Sequence, residues 1–221
     1  LVLTIFGVVL STLHQSSLGA LYLIAPSKLH PLWYSAYLPI QFFDSAIAVG
    51  LSMVIFEGTL SHKPFHHKMD ATFLAEHDGV ILGFARGASM VLACYLAIKI
   101  IALGADNNWK YLVSGWGAWY LFEILGFVAL PSLLYAIGSR ERNIKLIKWT
   151  AALTVFGVVL NRFNVSLVAF NWQLPSAQRY FPSWGEIGVS LFVVVVGILA
   201  FRFIVTRMPI FYEHPDFKDA H

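Results

Sequence analysis

The chain has one cysteine, Cys94, in 221 residues. A lone thiol excludes a disulfide framework, a cysteine-rich zinc site and an iron–sulfur cluster held by this chain alone. Charge is also scarce: Asp, Glu, Lys and Arg make up 12% of residues, where soluble domains carry roughly 25%. No basic run is interleaved with exposed aromatics, so the net charge of +3 does not point to nucleic acid. Strand-like alternation is missing from the apolar runs, which argues against a membrane barrel. What is abundant is apolar surface, at 58% of residues and a mean hydropathy of +0.69. That composition excludes intrinsic disorder and defines an integral membrane protein.

Six stretches reach the roughly 20 apolar residues that a spanning helix needs: about 1–24, 36–57, 78–104, 111–138, 145–170 and 184–206. The expected fold is an all-α integral membrane bundle of about six transmembrane helices, with 207–221 as a cytoplasmic tail. Pro131, inside the fourth stretch, should kink it and free the Phe127 carbonyl. Gly83 and Gly87 form a small-xxx-small pair that permits close helix contact. Leu1 to Phe6 already lie in an apolar run, with neither a basic leader nor a small-residue cleavage site. They read as the inside of a longer polypeptide.

Lys and Arg in the connections set the orientation. Lys63, Lys68, Arg140, Arg142, Lys145, Lys148, Arg207 and Lys218 lie on one side; Lys28, Lys110 and Arg179 lie on the other. The first side is expected in the cytoplasm. The outward loops are rich in aromatics, among them Trp33, Tyr34, Trp109, Trp172, Tyr180 and Trp184. They suit an aromatic belt at the membrane surface or a docking site for an extracytoplasmic partner.

Ionisable groups within spans are costly unless paired or hydrated, and each is a functional candidate. His14 in the first span and Asp44 in the second fall at similar depth in the outer half of the membrane if the two helices run antiparallel. Gln41, Asp44 and Ser45 share a helical face by their spacing. A neutral imidazole and a carboxylate at one depth can exchange protons with a quinone; the other reading is a buried hydrogen bond that locks two helices. Glu123 and the cluster Asn161, Arg162, Asn164 offer either charge compensation or a proton route. Glu57 and Arg86 are candidates for the cytoplasmic end of that route. Lys99 and Arg202 lie near helix ends, where long cations snorkel. The run His62-Lys63-Pro64-Phe65-His66-His67-Lys68 reads as a solvated loop rather than a metal site. With His14 and His77 at different depths, a bis-histidine haem held by this chain is disfavoured.

The segment Leu13-His14-Gln15-Ser16-Ser17-Leu18-Gly19-Ala20-Leu21, followed by Phe42-Phe43-Asp44-Ser45, resembles the NrfD/PsrC-type membrane subunits, most closely the HybB and DsrP branch. Asn161-Arg162-Phe163-Asn164, Pro182-Ser183-Trp184-Gly185-Glu186 and Thr206-Arg207-Met208-Pro209 extend the likeness. The resemblance implies a multi-pass protein of the prokaryotic inner membrane, normally with eight to ten spans, of which this chain would be the C-terminal part. It implies menaquinone or ubiquinone as cofactor and no redox metal of its own. The implied partners are a ferredoxin-like four-cluster iron–sulfur subunit on the extracytoplasmic face and a large catalytic subunit of hydrogenase, molybdoenzyme or sulfur-linked type. By the same resemblance His14 and Asp44 line the quinone site, with Arg162, Glu123 and Arg86 as further lining or proton-path residues. Gln41 and Ser45 join the site by sharing the face of Asp44, and Glu57 joins the proton path by its position. A haem b anchor and a transporter or purely structural anchor are the competing functions.

Overall fold

The computed structural model describes residues 2–65, 71–175 and 178–208. His66, His67, Lys68 and the tail from 209 onward lie outside the described residues, as do the side chains of His62 and Lys63. The backbone of residues 62–65 is the end of the helix Leu38–Phe65 rather than the expected loop; the reading of His66 to Lys68 and of most of the cytoplasmic tail falls outside.

The described residues are helical, without a strand. α1 (Val2–Leu21) runs into a 3-10 turn (Tyr22–Ile24), and α2 (Leu38–Phe65) and α3 (Ala71–Ala105) follow. A second 3-10 turn (Asn108–Val113) leads to α4 (Gly115–Ile124), which continues through a π turn (Leu125–Ala129) into α5 (Leu130–Arg140). α6 (Ile144–Phe163) ends in another π turn (Asn164–Val168), and α7 (Trp184–Arg207) comes last. With α4 and α5 as one span, six helices are long and apolar enough to cross a membrane. Their starts are written locally: Ser114 caps α4 through Gly117 N, Asn143 caps α6 through Leu146 N, and Ser183 with Glu186 forms a capping box on α7.

The helix around Pro131 carries a π turn just before it, where Leu130 N–H bonds to the Leu125 carbonyl five residues back. Of the glycine pair, only Gly87 meets a neighbour: a Cβ there would sit 3.3 Å from Leu51, while nothing lies within 4 Å of Gly83. The close helix approach occurs elsewhere. A Cβ on Gly157 would come 2.6 Å from Phe127 Cβ, so α6 meets the π turn of the α4–α5 span where only glycine fits.

The chain forms two compact units. One comprises Ser61–His77 and Tyr180–His221 and contains α7, whose 24-residue span is apolar on every side. The other comprises Leu1–Leu60 and Asp78–Arg179 and holds the candidate site. Its interior has two clusters. One gathers Ala48, Ile55, Ala85, Leu92, Tyr95, Tyr135 and Ile147; Tyr135 donates a 2.9 Å hydrogen bond to Ser52, joining α5 to α2. The other gathers Leu29, Trp33, Leu38, Phe42, Tyr120, Ile124 and Val165. Hydrogen bonds and close packing hold such helices together, because lipid is as apolar as their side chains.

The loops near the second cluster interlock. His30 N–H bonds to Ala169 O at 3.0 Å and Asn171 N–H to Lys28 O at 2.6 Å, making an isolated bridge between Leu29 and Phe170. Asn108 Nδ2 donates to Pro31 O at 2.9 Å. His30 is buried against the rings of Trp33, Tyr111, Trp116 and Trp172. Trp109, Tyr180 and Trp184 are exposed as a belt requires, but Trp33 is 1% exposed and belongs to the interior.

Candidate functional site

The centre of the larger unit is a carboxylate. Glu123 lies in the last turn of α4 and is 2% exposed. Asn161 and Asn164, three apart on α6 and its π turn, share a helical face and both reach it. Asn161 Nδ2 donates to Oε1 and Asn164 Nδ2 to Oε2, each at 2.5 Å, and Trp33 Nε1 donates to Oε2 at 2.9 Å. Three N–H donors replace the water a carboxylate would otherwise need. The amide orientations follow from the outer contacts. Trp119 Nε1 donates to Asn164 Oδ1 at 3.1 Å, and Arg162 donates to Asn161 Oδ1 at 3.0 Å, so only the amide N–H groups remain for Glu123. Both π turns lie beside this network, which matches the frequent siting of π turns at functional positions.

Arg162 carries the network to α2. Its guanidinium donates to Ser45 Oγ at 2.8 Å and to Phe42 O at 3.3 Å, and it lies 3.8 Å from the Phe42 ring centre. Glu123 and Arg162 therefore compensate through the Asn161 amide rather than as a direct ion pair. A cavity of about 10 Å³, lined by Ser45, Tyr95, Glu123 and Asn161 among others, lies beside this chain of bonds, room for about one water molecule.

On the same helix the polar face is incomplete. Gln41 Oε1 and Asp44 Oδ2 are buried atoms with no hydrogen-bond partner. Buried acceptors without donors are rare, and each calls for an explanation. Their helix begins against α1: a Cβ on Gly19 would lie 2.8 Å from Leu38 O and 3.0 Å from Phe42. His14 is on α1 but is exposed, and no hydrogen bond joins it to Asp44. The structure thus unites Ser45 with Arg162 and leaves His14, Asp44 and Gln41 without mutual bonds. Glu57 is engaged within the protein, and Arg86 bonds Ser139; neither belongs to the Glu123 network.

Lys99 departs from the snorkelling expectation. It is 3% exposed, with Nζ 5.6 Å from the Tyr95 ring and 5.9 Å from that of Tyr120. With Gln41, Trp33 and Tyr120 it lines a second cavity of about 10 Å³. Nearness to a helix end says nothing about which way a residue faces, and here the inward face won. His30, absent from the sequence candidates, has its pKa lowered from 6.5 to about 4 by burial. Its burial depends on the interlocked loops, and helical periodicity carries no signal for those.

An all-helical, six-span fold with a buried polar network defines a class of membrane subunit, and comparison places the chain within it. Residues 1–171 match the family described as polysulphide reductase, NrfD; the chain belongs to this family and is a multi-pass integral protein of the prokaryotic inner membrane. A Nitratidesulfovibrio vulgaris chain named only "Protein" is 66% identical over 221 residues, covering 100% of this chain and 57% of its own length. The Escherichia coli "Probable Ni/Fe-hydrogenase 2 b-type cytochrome subunit" is 27% identical over 207 residues, covering 92% of this chain and 51% of its own length. The "Menaquinone reductase, integral membrane subunit" of Nitratidesulfovibrio vulgaris is 26% identical over 234 residues, covering 95% and 54% respectively. The chain spans about half the length of these curated relatives. No solved structure matches.

Proposed function

We propose that this chain is the quinone-interacting membrane subunit of a multi-subunit respiratory oxidoreductase, exchanging electrons with an iron–sulfur subunit docked at its extracytoplasmic face. The observation that carries the reading is the pair of donorless acceptors, Gln41 Oε1 and Asp44 Oδ2, on one face of α2. A quinol brings two O–H donors, which is what this face needs. The name of the menaquinone reductase relative supports the same ligand class.

A bound quinone supplies two carbonyl oxygens that gain or lose protons as its ring gains or loses electrons. Asp44 is the group that gives or takes a proton at Oδ2, and Gln41 orients through its amide. His14, on the neighbouring helix, supplies the second hydrogen bond. Arg162 holds Phe42 and Ser45 in register beside them and screens the charge on Asp44. Glu123 has a water-sized cavity next to it and Ser45, so it is the proton-path residue best connected to this face. Glu57 and Arg86 stand apart from it.

The test is quinone-linked turnover of the purified complex carrying His14→Ala or Asp44→Asn. The expected outcome is normal assembly with turnover largely abolished. Normal turnover in either variant removes the proposed site, and failure of both to assemble makes the residues structural. A second reading, a haem b anchor, is favoured by the name of the Escherichia coli relative. A b-type band in the reduced-minus-oxidised spectrum of the purified chain would establish it.

A further inference from the structure

A second polar site lies away from the Glu123 network, between α3 and the α5–α6 turn. Arg86, Ser89, Met90, Ala136, Ser139, Arg140 and Arg142 line a cavity of about 600 Å³. Ser89 and Ser132 exchange reciprocal hydrogen bonds, Oγ to carbonyl, at 2.9 and 3.0 Å, which pins α3 against α5 at the cavity's side. Arg86 Nε donates to Ser139 Oγ at 3.2 Å. That neutral hydroxyl is its one hydrogen-bond partner among the described residues, and none of the three guanidiniums pairs with a carboxylate there.

Arg140 and Arg142 are exposed at the α5–α6 turn, and the cost falls on Arg86. Arg86 lies within the span His77–Ala105, about 13 Å along the axis from His77 at 1.5 Å per residue. A cation at that depth needs a counter-charge or water. Arg142 is held at φ 53°, a left-handed conformation in which an arginine is uncommon, and it still lines the cavity. Glu141, between the two turn arginines, does not line it. Apolar side chains complete the picture: Met90, Leu133 and Ile137 are exposed on the same helices.

We propose that this three-arginine cavity binds a phosphate group, carried by the headgroup of an acidic phospholipid from the leaflet at the Lys/Arg-rich end. Guanidiniums bind phosphate oxygens in forked pairs, and basic pockets between spanning helices suit anionic headgroups. Inorganic phosphate shares the charge chemistry but has no use for the apolar flank; an acyl chain does.

The full-length protein, purified from nanodiscs of equal phosphatidylglycerol and phosphatidylcholine, is examined by native mass spectrometry for retained lipid. Phosphatidylglycerol should be retained about tenfold over phosphatidylcholine, and Arg86→Gln or Arg140→Gln should each lower retention about fivefold. Arg86→Lys, which keeps the charge but not the fork, should lower retention less than Arg86→Gln does, and millimolar inorganic phosphate should not displace the lipid. Equal retention of both lipids, or undiminished phosphatidylglycerol in the Arg86→Gln/Arg140→Gln protein, overturns the proposal. Displacement by inorganic phosphate overturns the lipid assignment and makes the ligand a soluble anion. Should the double variant not fold, Ser139→Ala, which removes only the bond orienting Arg86, must still reduce retention.

Discussion

Two stretches of polar surface meet on α2 and differ in one respect. Around Ser45 the polar side chains all have partners: Arg162 bonds Ser45 and Asn161, and the two asparagines and Trp33 converge on Glu123. Within about one turn of Ser45, Gln41 Oε1 and Asp44 Oδ2 have no donor. A network whose members are all bonded to one another fixes geometry and sets a field. An unsaturated face is where an external donor gains most. We read the difference as separating the bonded network that holds the site, with Glu123 on its proposed proton path, from the face proposed to meet the ligand, although both look alike as polar residues in apolar runs.

The largest expected effect falls on the unsaturated face. Asp44→Asn keeps shape and removes the proposed proton carrier, so quinone-linked turnover should fall by roughly two to four orders of magnitude, with little change in thermal unfolding. The saturated side should behave oppositely. Glu123→Gln turns an acceptor into an N–H group facing donors, at a cost of about 3 kcal/mol, seen as a lowered melting temperature in detergent or nanodiscs. Trp33→Phe removes one of the three donors and should cost about 1.5 kcal/mol by the same measurement.

A comparable effect concerns the interlocked loops. Unfolded, His30 takes up a proton near pH 6.5; folded, burial delays this to about 4. The unfolded state therefore binds more protons in that window, and stability falls as pH is lowered through it. A melting curve from pH 7 to 5 should show the fall, and His30→Gln should flatten it.

The six spans, the polar cluster at Asn161–Asn164 and the isolated Glu123 were legible because polar residues stand out against apolar runs. Helix rotation was not. Lys99 sits near the end of α3 and reads as a snorkelling cation, yet packing turns it inward between Tyr95 and Tyr120. The π turns add a residue to the local repeat at 125–129 and 164–168, shifting face assignments that ideal periodicity would make. Trp33 looks like a belt residue until the loop that carries it folds back over α4 and hands its indole N–H to Glu123. Depth alone paired His14 with Asp44; His14 is exposed and Asp44 Oδ2 has no partner.

The central claim is that the donorless face of α2 binds quinone. Binding of a quinone-analogue inhibitor to the purified full-length protein, measured by titration calorimetry, tests it most directly. Asp44→Asn should weaken binding about tenfold or more at an unchanged melting temperature. Unaltered affinity in that variant, or weakening only in step with lost stability, would contradict the account.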